Sequence, residues 1–303
     1  MGLSAYLLKR YWAATKKADD DRIALQKPTA GVSIISDIPY IDDANNAHLL
    51  DIYYPENTAS LLPVIMDVHG GGWSYGDKYL NKYYCMYLAS KGFTVVNINY
   101  RLAPETQIDG QIRDIFAAIA WTKNNIGEYN GNIDAFAIAG DSAGGHLTML
   151  AAAVNSSAAL ASKYGVALPG VSIKAIGLTS SALNVDIVHK LSWLPLGRYI
   201  LQILLGKKYK QSPFKDDMSI KNLVDFAALP PVYMMSGKED FVHSHSASFS
   251  EAAKNANFDF VYHDWDIGKN GYKLSHVFNI LHPEYPESIE TNDEFLEFFL
   301  KHL

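Results

Sequence analysis

The sequence predicts an α/β fold, with a mostly parallel central sheet and helices on both faces. Short apolar runs bounded by Pro or Gly recur along the chain, as at 64–68 and 135–139. They are continuously apolar, as strands covered on both faces require, whereas a half-exposed strand alternates. Segments of helical period lie between them, and that alternation is the pattern of a parallel sheet with crossover helices. The 303 residues allow two domains at roughly 150 residues each, or one large α/β domain with insertions. There is no internal repeat, low-complexity tract or Pro/Gly/Ser-rich linker, so a single domain over 1–303 is expected.

Each element has its own justification. Leu3, Leu7, Leu8, Tyr11 and Trp12 recur at helical spacing, which predicts an amphipathic helix over 3–17. Its apolar face is expected to pack against the protein, the other use of such a face being a membrane surface. Strands are expected at 32–38 and 48–54, the second closed by Pro55, which cannot donate to a ladder. A strand at 64–68 lies between Pro63 and a glycine cluster. A helix at 79–90, closed by Gly92, leads to a strand at 93–99. Ile108, Ile112, Ile115, Phe116, Ile119 and Trp121 mark a helix over 107–125. A strand at 135–139 runs into a helix at 142–154. Strands follow at 173–179, 231–236 and 258–263, with helices at 244–256 and 287–302. The rhythm breaks at about 183–228, a stretch rich in Leu, Trp and Tyr that reads as an insertion folding over the sheet.

Composition excludes several classes. Lysine plus arginine is 26 and aspartate plus glutamate is 32, a net charge of −6. A nucleic-acid binder needs a basic stripe, and the densest basic group, Lys207-Lys208-Tyr209-Lys210, is short and reads as a solvated helix end. A single cysteine, Cys85, excludes an intrachain disulfide, and its apolar neighbours predict a buried inert thiol. Lys9, Arg10, Lys16 and Lys17 interrupt the N-terminal apolar residues, so no signal peptide is expected. No stretch approaches the roughly 18 apolar residues of a membrane span. A cytoplasmic protein without stable membrane insertion is the expectation, and Asn155-Ser156-Ser157 then carries no meaning as a glycosylation acceptor.

The chemistry starts at Gly140-Asp141-Ser142-Ala143-Gly144, a G-x-S-x-G pattern between an apolar strand and a helix. That context fits a nucleophile elbow, in which a sharp turn lifts Ser142 into an exposed position at a helix N-terminus. His69-Gly70-Gly71-Gly72-Trp73 follows the strand ending at Val68. Such a run of glycines frees backbone N–H groups to receive an oxyanion, and the residue after the nucleophile, Ala143, completes the set. A phosphate loop fits worse. Gly71 and Gly76 have its spacing, but Asp77 and Lys78 stand where Lys and then Ser or Thr are needed.

A serine nucleophile needs a base, and the base needs an orienting acid. Chain order puts the acid on the loop after the 231–236 strand, where Asp240 is preferred and Glu239 is the runner-up. The base belongs between the next strand and the last helix. His276 is preferred, because Val277 and Phe278 can anchor its loop, with His263 and His282 as fallbacks. His243 and His245 are closely spaced, but no Cys or second cluster supports a metal site, and no H-E-x-x-H occurs.

With these residues assembled, the chain resembles the hormone-sensitive-lipase-like esterases of the α/β-hydrolase superfamily. The resemblance rests on His69-Gly70-Gly71-Gly72-Trp73, Asn99-Tyr100-Arg101-Leu102-Ala103-Pro104-Glu105, and Gly140-Asp141-Ser142-Ala143-Gly144-Gly145. Leu229-Pro230-Pro231-Val232-Tyr233, Gly237 with Asp240, and His276-Val277-Phe278 complete it, from about residue 35 to the C-terminus. It implies Ser142 as nucleophile, His276 as base and Asp240 as acid, with an oxyanion hole from Gly71, Gly72 and Ala143. It implies that His69 holds the glycine loop. It also implies a helical cap, which matches about 1–30 and the insertion at about 183–228. The expected activity is a serine carboxylesterase for short- to medium-chain acyl or aryl esters, needing no metal or cofactor, its partner a small-molecule ester. A homodimer is compatible with this. The same triad would serve an amidase, formamidase or small peptidase, and the scaffold also occurs in non-catalytic ligand receptors.

Overall fold

The structure, a computed structural model, describes residues 2–58, 60–184, 195–223, 225, 228–269, 271 and 273–303. Its strands are β1 (Val32–Pro39), β2 (Leu49–Pro55), β3 (Leu62–Val68), β4 (Thr94–Ile98), β5 (Gly131–Asp141), β6 (Ile173–Thr179), β7 (Val232–Gly237) and β8 (Phe260–Trp265). They form one 8-stranded sheet in the order β1-β2-β4-β3-β5-β6-β7-β8. β1 pairs antiparallel with β2, and β2 with β4. Every later pairing is parallel.

The helices are α1 (Leu3–Leu25), α2 (Lys82–Ser90), α3 (Ile108–Asn125), α4 (Ser142–Asn155), α5 (Ala158–Tyr164), α6 (Pro195–Leu205), α7 (Ile220–Leu223), α8 (His243–Asn255), α9 (Phe278–Leu281) and α10 (Pro286–His302). The two-residue alternation of β3 decides how they pack. Val64, Met66 and Val68 face a core with Ile108, Ile112, Ile115 and Ile119 of α3 and Leu147 and Leu150 of α4. Ile65 faces the opposite core, with Cys85 and Leu88 of α2 and Phe295, Phe298 and Phe299 of α10. Each such fully buried side chain contributes about 1.5–3 kcal/mol. The cores hold the sheet from both sides, and the parallel strands all end at one edge.

α1 departs from the sequence reading in two ways. It runs to Leu25, past the last apolar repeat, because Lys16–Asp20 and Lys17–Asp21 ion pairs of 2.7 Å span its turns and Ile23 is buried. Its apolar stripe is also split. Leu8 is buried and Trp12 half-buried, but Leu3, Leu7 and Tyr11 face outward. Ser4 Oγ donates to the carbonyl of Pro195 at the start of α6 (3.2 Å). The expected insertion at 183–228 is described only in part, since 185–194, 224, 226 and 227 lie outside the described residues.

Candidate active site

The site is built where β3, β5 and β7 end. Ser142 lies in the turn from β5 into α4 with φ +50°, a left-handed conformation that costs a non-glycine residue about 1–3 kcal/mol. The turn is held against the end of β3. A Cβ on Gly144 would stand 2.0 Å from the Val68 carbonyl oxygen, so only glycine admits this approach. The Ala182 N–H donates to the Ser142 carbonyl (3.0 Å) and fixes the other side.

His276 Nε2 lies 2.8 Å from Ser142 Oγ. His276 Nδ1 lies 2.9 and 3.0 Å from the two Asp240 oxygens. Asp240 is buried and also accepts from the Val242 N–H (2.9 Å). Burial alone would raise its carboxyl pKa. The His276 hydrogen bond and charge, with Ser180 and the Val242 N–H, outweigh burial and hold the carboxyl below its ordinary value. A hydroxyl paired with an imidazole whose far nitrogen faces a carboxylate can give up its proton during attack.

The glycine loop lies beside this chain of groups. His69 is buried, and its Nδ1 lies 2.7 Å from the Gly70 carbonyl oxygen. The ring stacks on Tyr100 at 4.5 Å, and the Tyr100 hydroxyl donates to the His69 carbonyl. Burial pushes the His69 imidazole below its ordinary pKa, against the pull of the Gly70 carbonyl and Asp141. The ring is packed beneath the glycine loop, where the resemblance implied that it holds that loop. Gly71 has φ +113°, and a Cβ there would stand 2.0 Å from the Tyr75 carbonyl oxygen. The N–H groups of Gly71 and Gly72 donate to no partner among the described residues. The Ala143 N–H belongs to the first turn of α4, where no helical carbonyl lies four residues back.

Of the alternatives, Glu239 is exposed while its neighbour Asp240 is buried. His263 pairs with Glu294 at 2.7 Å and stacks on Trp265, and His282 stacks on Tyr285. His243 binds Asp264 at the start of α8. Among the described residues, no group of three His, Cys, Asp or Glu could hold a metal.

Three features escaped the sequence reading. Asp141 Oδ1 accepts from the Gly70 N–H and from Asn81 Nδ2, both at 2.9 Å, and Asn81 Nδ2 also reaches Asp67 Oδ2 at 2.9 Å. Trp12 of α1 lies on the glycine loop, stacked on Tyr75 and donating to Ser74 Oγ (3.0 Å). Phe241 lies against the His276 ring at 4.3 Å and is 76% exposed. Asp141 alone had a signal, as the variable residue of the elbow pattern.

A family model described as BD-FAE matches residues 50–253, more than half of the chain. The chain belongs to the BD-FAE family. This is a hormone-sensitive-lipase-like group of the α/β-hydrolases. The BD-FAE chain is 30% identical over 230 residues to Esterase LipQ of Mycobacterium tuberculosis, covering 73% of this chain and 53% of that protein. It is 32% identical over 131 residues to Carboxylesterase NlhH of the same organism, covering 43% of this chain and 38% of that one. The chain thus spans about half the length, or less, of these curated relatives. The crystal structure of Esterase B from Lactobacillus rhamnosis superimposes with a TM-score of 0.89 at 32% identity, covering 98% of this chain and 94% of that one. A bacterial heroin esterase, at 22% identity and a TM-score of 0.75, covers 98% of this chain and 92% of that one and shares the fold.

Proposed function

We propose that the protein is a serine carboxylesterase for short- to medium-chain acyl or aryl esters, with Ser142, His276 and Asp240 as its triad. The observation that carries this is the unbroken line of contacts from Asp240 through His276 to Ser142, each between 2.8 and 3.0 Å. His276 takes the proton of Ser142 as its oxygen attacks the ester carbonyl. The N–H groups of Gly71, Gly72 and Ala143 receive the oxyanion, and Asp240 stabilises the imidazolium. His276 then protonates the leaving alcohol, and water deacylates the enzyme by the reverse path. The cap over this site is read as about 1–30 together with the described part of the insertion at about 183–228. The similar structures support the substrate class, because one of them is Esterase B inhibited by a tributyrin phosphonate.

Ser142→Ala should lower hydrolysis of p-nitrophenyl butyrate by about 10⁴-fold or more, with an unchanged circular dichroism spectrum. Unchanged turnover would remove Ser142 from the mechanism. A matched set of esters and anilides, run side by side, separates esterase from amidase, and esters should be turned over faster.

A further inference from the structure

We propose that Ser180 is a positioning residue of the proposed triad, its hydroxyl tying the loop of His276 to the carboxylate of Asp240. Ser180 follows the end of β6 with φ +45°, a left-handed conformation that side chains rarely adopt. Glycine would take it without steric cost, so a serine there points to a use for the hydroxyl. The residue is fully buried, so that use lies inside the protein.

Three segments of the site meet here. The Ser180 N–H donates to the Met235 carbonyl of β7 (2.9 Å), the strand that leads to the Asp240 loop. Ser180 Oγ accepts from the Val277 N–H (3.2 Å), one residue beyond His276. Val277 itself has φ +50°, so the chain holds an unfavourable conformation where its N–H meets Ser180. Two residues after Ser180, the Ala182 N–H donates to the Ser142 carbonyl (3.0 Å). One residue before it, Thr179 Oγ1 accepts from Asn279 Nδ2 of α9 (3.3 Å). The stretch 179–182 therefore holds the chain at Ser142, beside His276 and ahead of Asp240.

A serine hydroxyl has one proton to give, and with Val277 bound to the Ser180 oxygen that proton serves Asp240. Burial works to raise the Asp240 carboxyl. The hydrogen bond and charge of His276, then the hydrogen bonds of Ser180 and the Val242 N–H, hold it below its ordinary value. His276 is thus set twice over: Asp240 receives its Nδ1, and Ser180 anchors the backbone behind it. The other groups around the ring are Ser142 at Nε2, Phe241 against its face, and Asp141, whose carboxyl feels the His276 charge. This role rests on the triad reading, since aligning a base and an acid matters only where they act.

The test compares Ser180→Ala, which removes the hydroxyl and keeps the strained backbone, with Ser180→Gly, which removes the hydroxyl and relieves the strain. The glycine variant keeps the test readable where the alanine variant does not fold. Both are assayed on p-nitrophenyl butyrate over a range of pH, with folded enzyme counted by circular dichroism. Each should lower kcat by about tenfold with KM within about twofold, because a misaligned base is felt in the transition state. The acid limb of the kcat/KM profile should move to higher pH by about half a pH unit, because Asp240, freed of one donor, holds the imidazolium proton more firmly. A kcat within about twofold of wild type in either folded variant would overturn the proposal. So would a lowered kcat with an acid limb that stays in place or moves to lower pH, because Ser180 would then only support the backbone. Unchanged turnover in Ser142→Ala counts against the triad itself, whereas loss there with full turnover in the Ser180 variants counts against this inference alone.

Discussion

Asp141 acts on two chain segments at once. It precedes Ser142 in the chain, and its carboxylate holds the Gly70 N–H from the other side of the site. It therefore fixes the distance between Ser142, the proposed nucleophile, and the loop that carries Gly71 and Gly72. Burial raises its carboxyl pKa, and Asn81, His69, His276 and the Gly70 N–H pull it back. Asp141→Ala should lower kcat by about 10- to 100-fold with little change in KM, since a displaced oxyanion donor is felt in the transition state. A KM effect with unchanged kcat would mean that Asp141 only shapes the binding site. That Ser142, Asp240 and His276 come together was legible in the sequence, because each sits at a chain position that an elbow and its later loops dictate. The brace was not, because Asn81 meets Asp141 across 60 residues and nothing local marks the pair. Phe241 was equally silent, since an exposed ring beside an acid has no pattern of its own.

At the scale of elements, strands were easier to read than helix ends. β3 runs from Pro63 to the glycine cluster, β4 follows Gly92, and both are buried on both faces, so composition alone outlines them. α1 outran its apolar repeat because i,i+4 ion pairs extend a helix without leaving a hydrophobic period. The same helix supports the site from outside. Its Trp12 ring stacks on Tyr75 at 4.8 Å, and a Cβ on Gly72 would come within 2.9 Å of that ring. The Tyr75 hydroxyl in turn donates to Asp19 of α1 (2.7 Å). Trp12→Ala should destabilise the fold by about 1–3 kcal/mol, read by urea denaturation, because it opens a half-buried space and frees Ser74. It should also lower turnover of a soluble ester, as the loop gains freedom. Loss of stability with full turnover would show that the loop is held by its Asp141 and Tyr100 contacts alone.

For the whole molecule, the sheet order was the part the sequence could not supply. Eight strands were readable one by one, but β4 lies between β2 and β3 in space, and only pairing across the sheet decides that. The order places β3 deep inside, with Asp67 buried on its α2 side. Burial, followed by the charge of Asp141, pushes the Asp67 carboxyl up to about 7, against hydrogen bonds from Asn81 and Cys85. Cys85 and Tyr84 of α2, both pushed upward by burial first and by Asp67 next, are neutral neighbours at ordinary pH. The sign follows from proton counts. Between the ordinary carboxylate value of 3.8 and about 7, the folded state holds a proton on Asp67 that the unfolded chain has lost. The contribution of Asp67 to stability should therefore fall as pH rises through that window, while His69 and His146, whose buried rings are held below their ordinary values, contribute with the opposite sign up to 6.5. Asp240 has the opposite sign, because its lowered carboxyl adds stability that is lost only as pH drops through its folded value, below 3.8. The two windows do not overlap. Asp67→Asn should then remove the falling component of the Tm profile between about pH 4 and pH 7 and leave the acid limb in place, a difference on the order of 1–3 kcal/mol at pH 8. A variant whose Tm profile matches wild type across that range would move the falling component to Asp141, the buried acid beside Asp67 whose carboxyl is also held above its ordinary value.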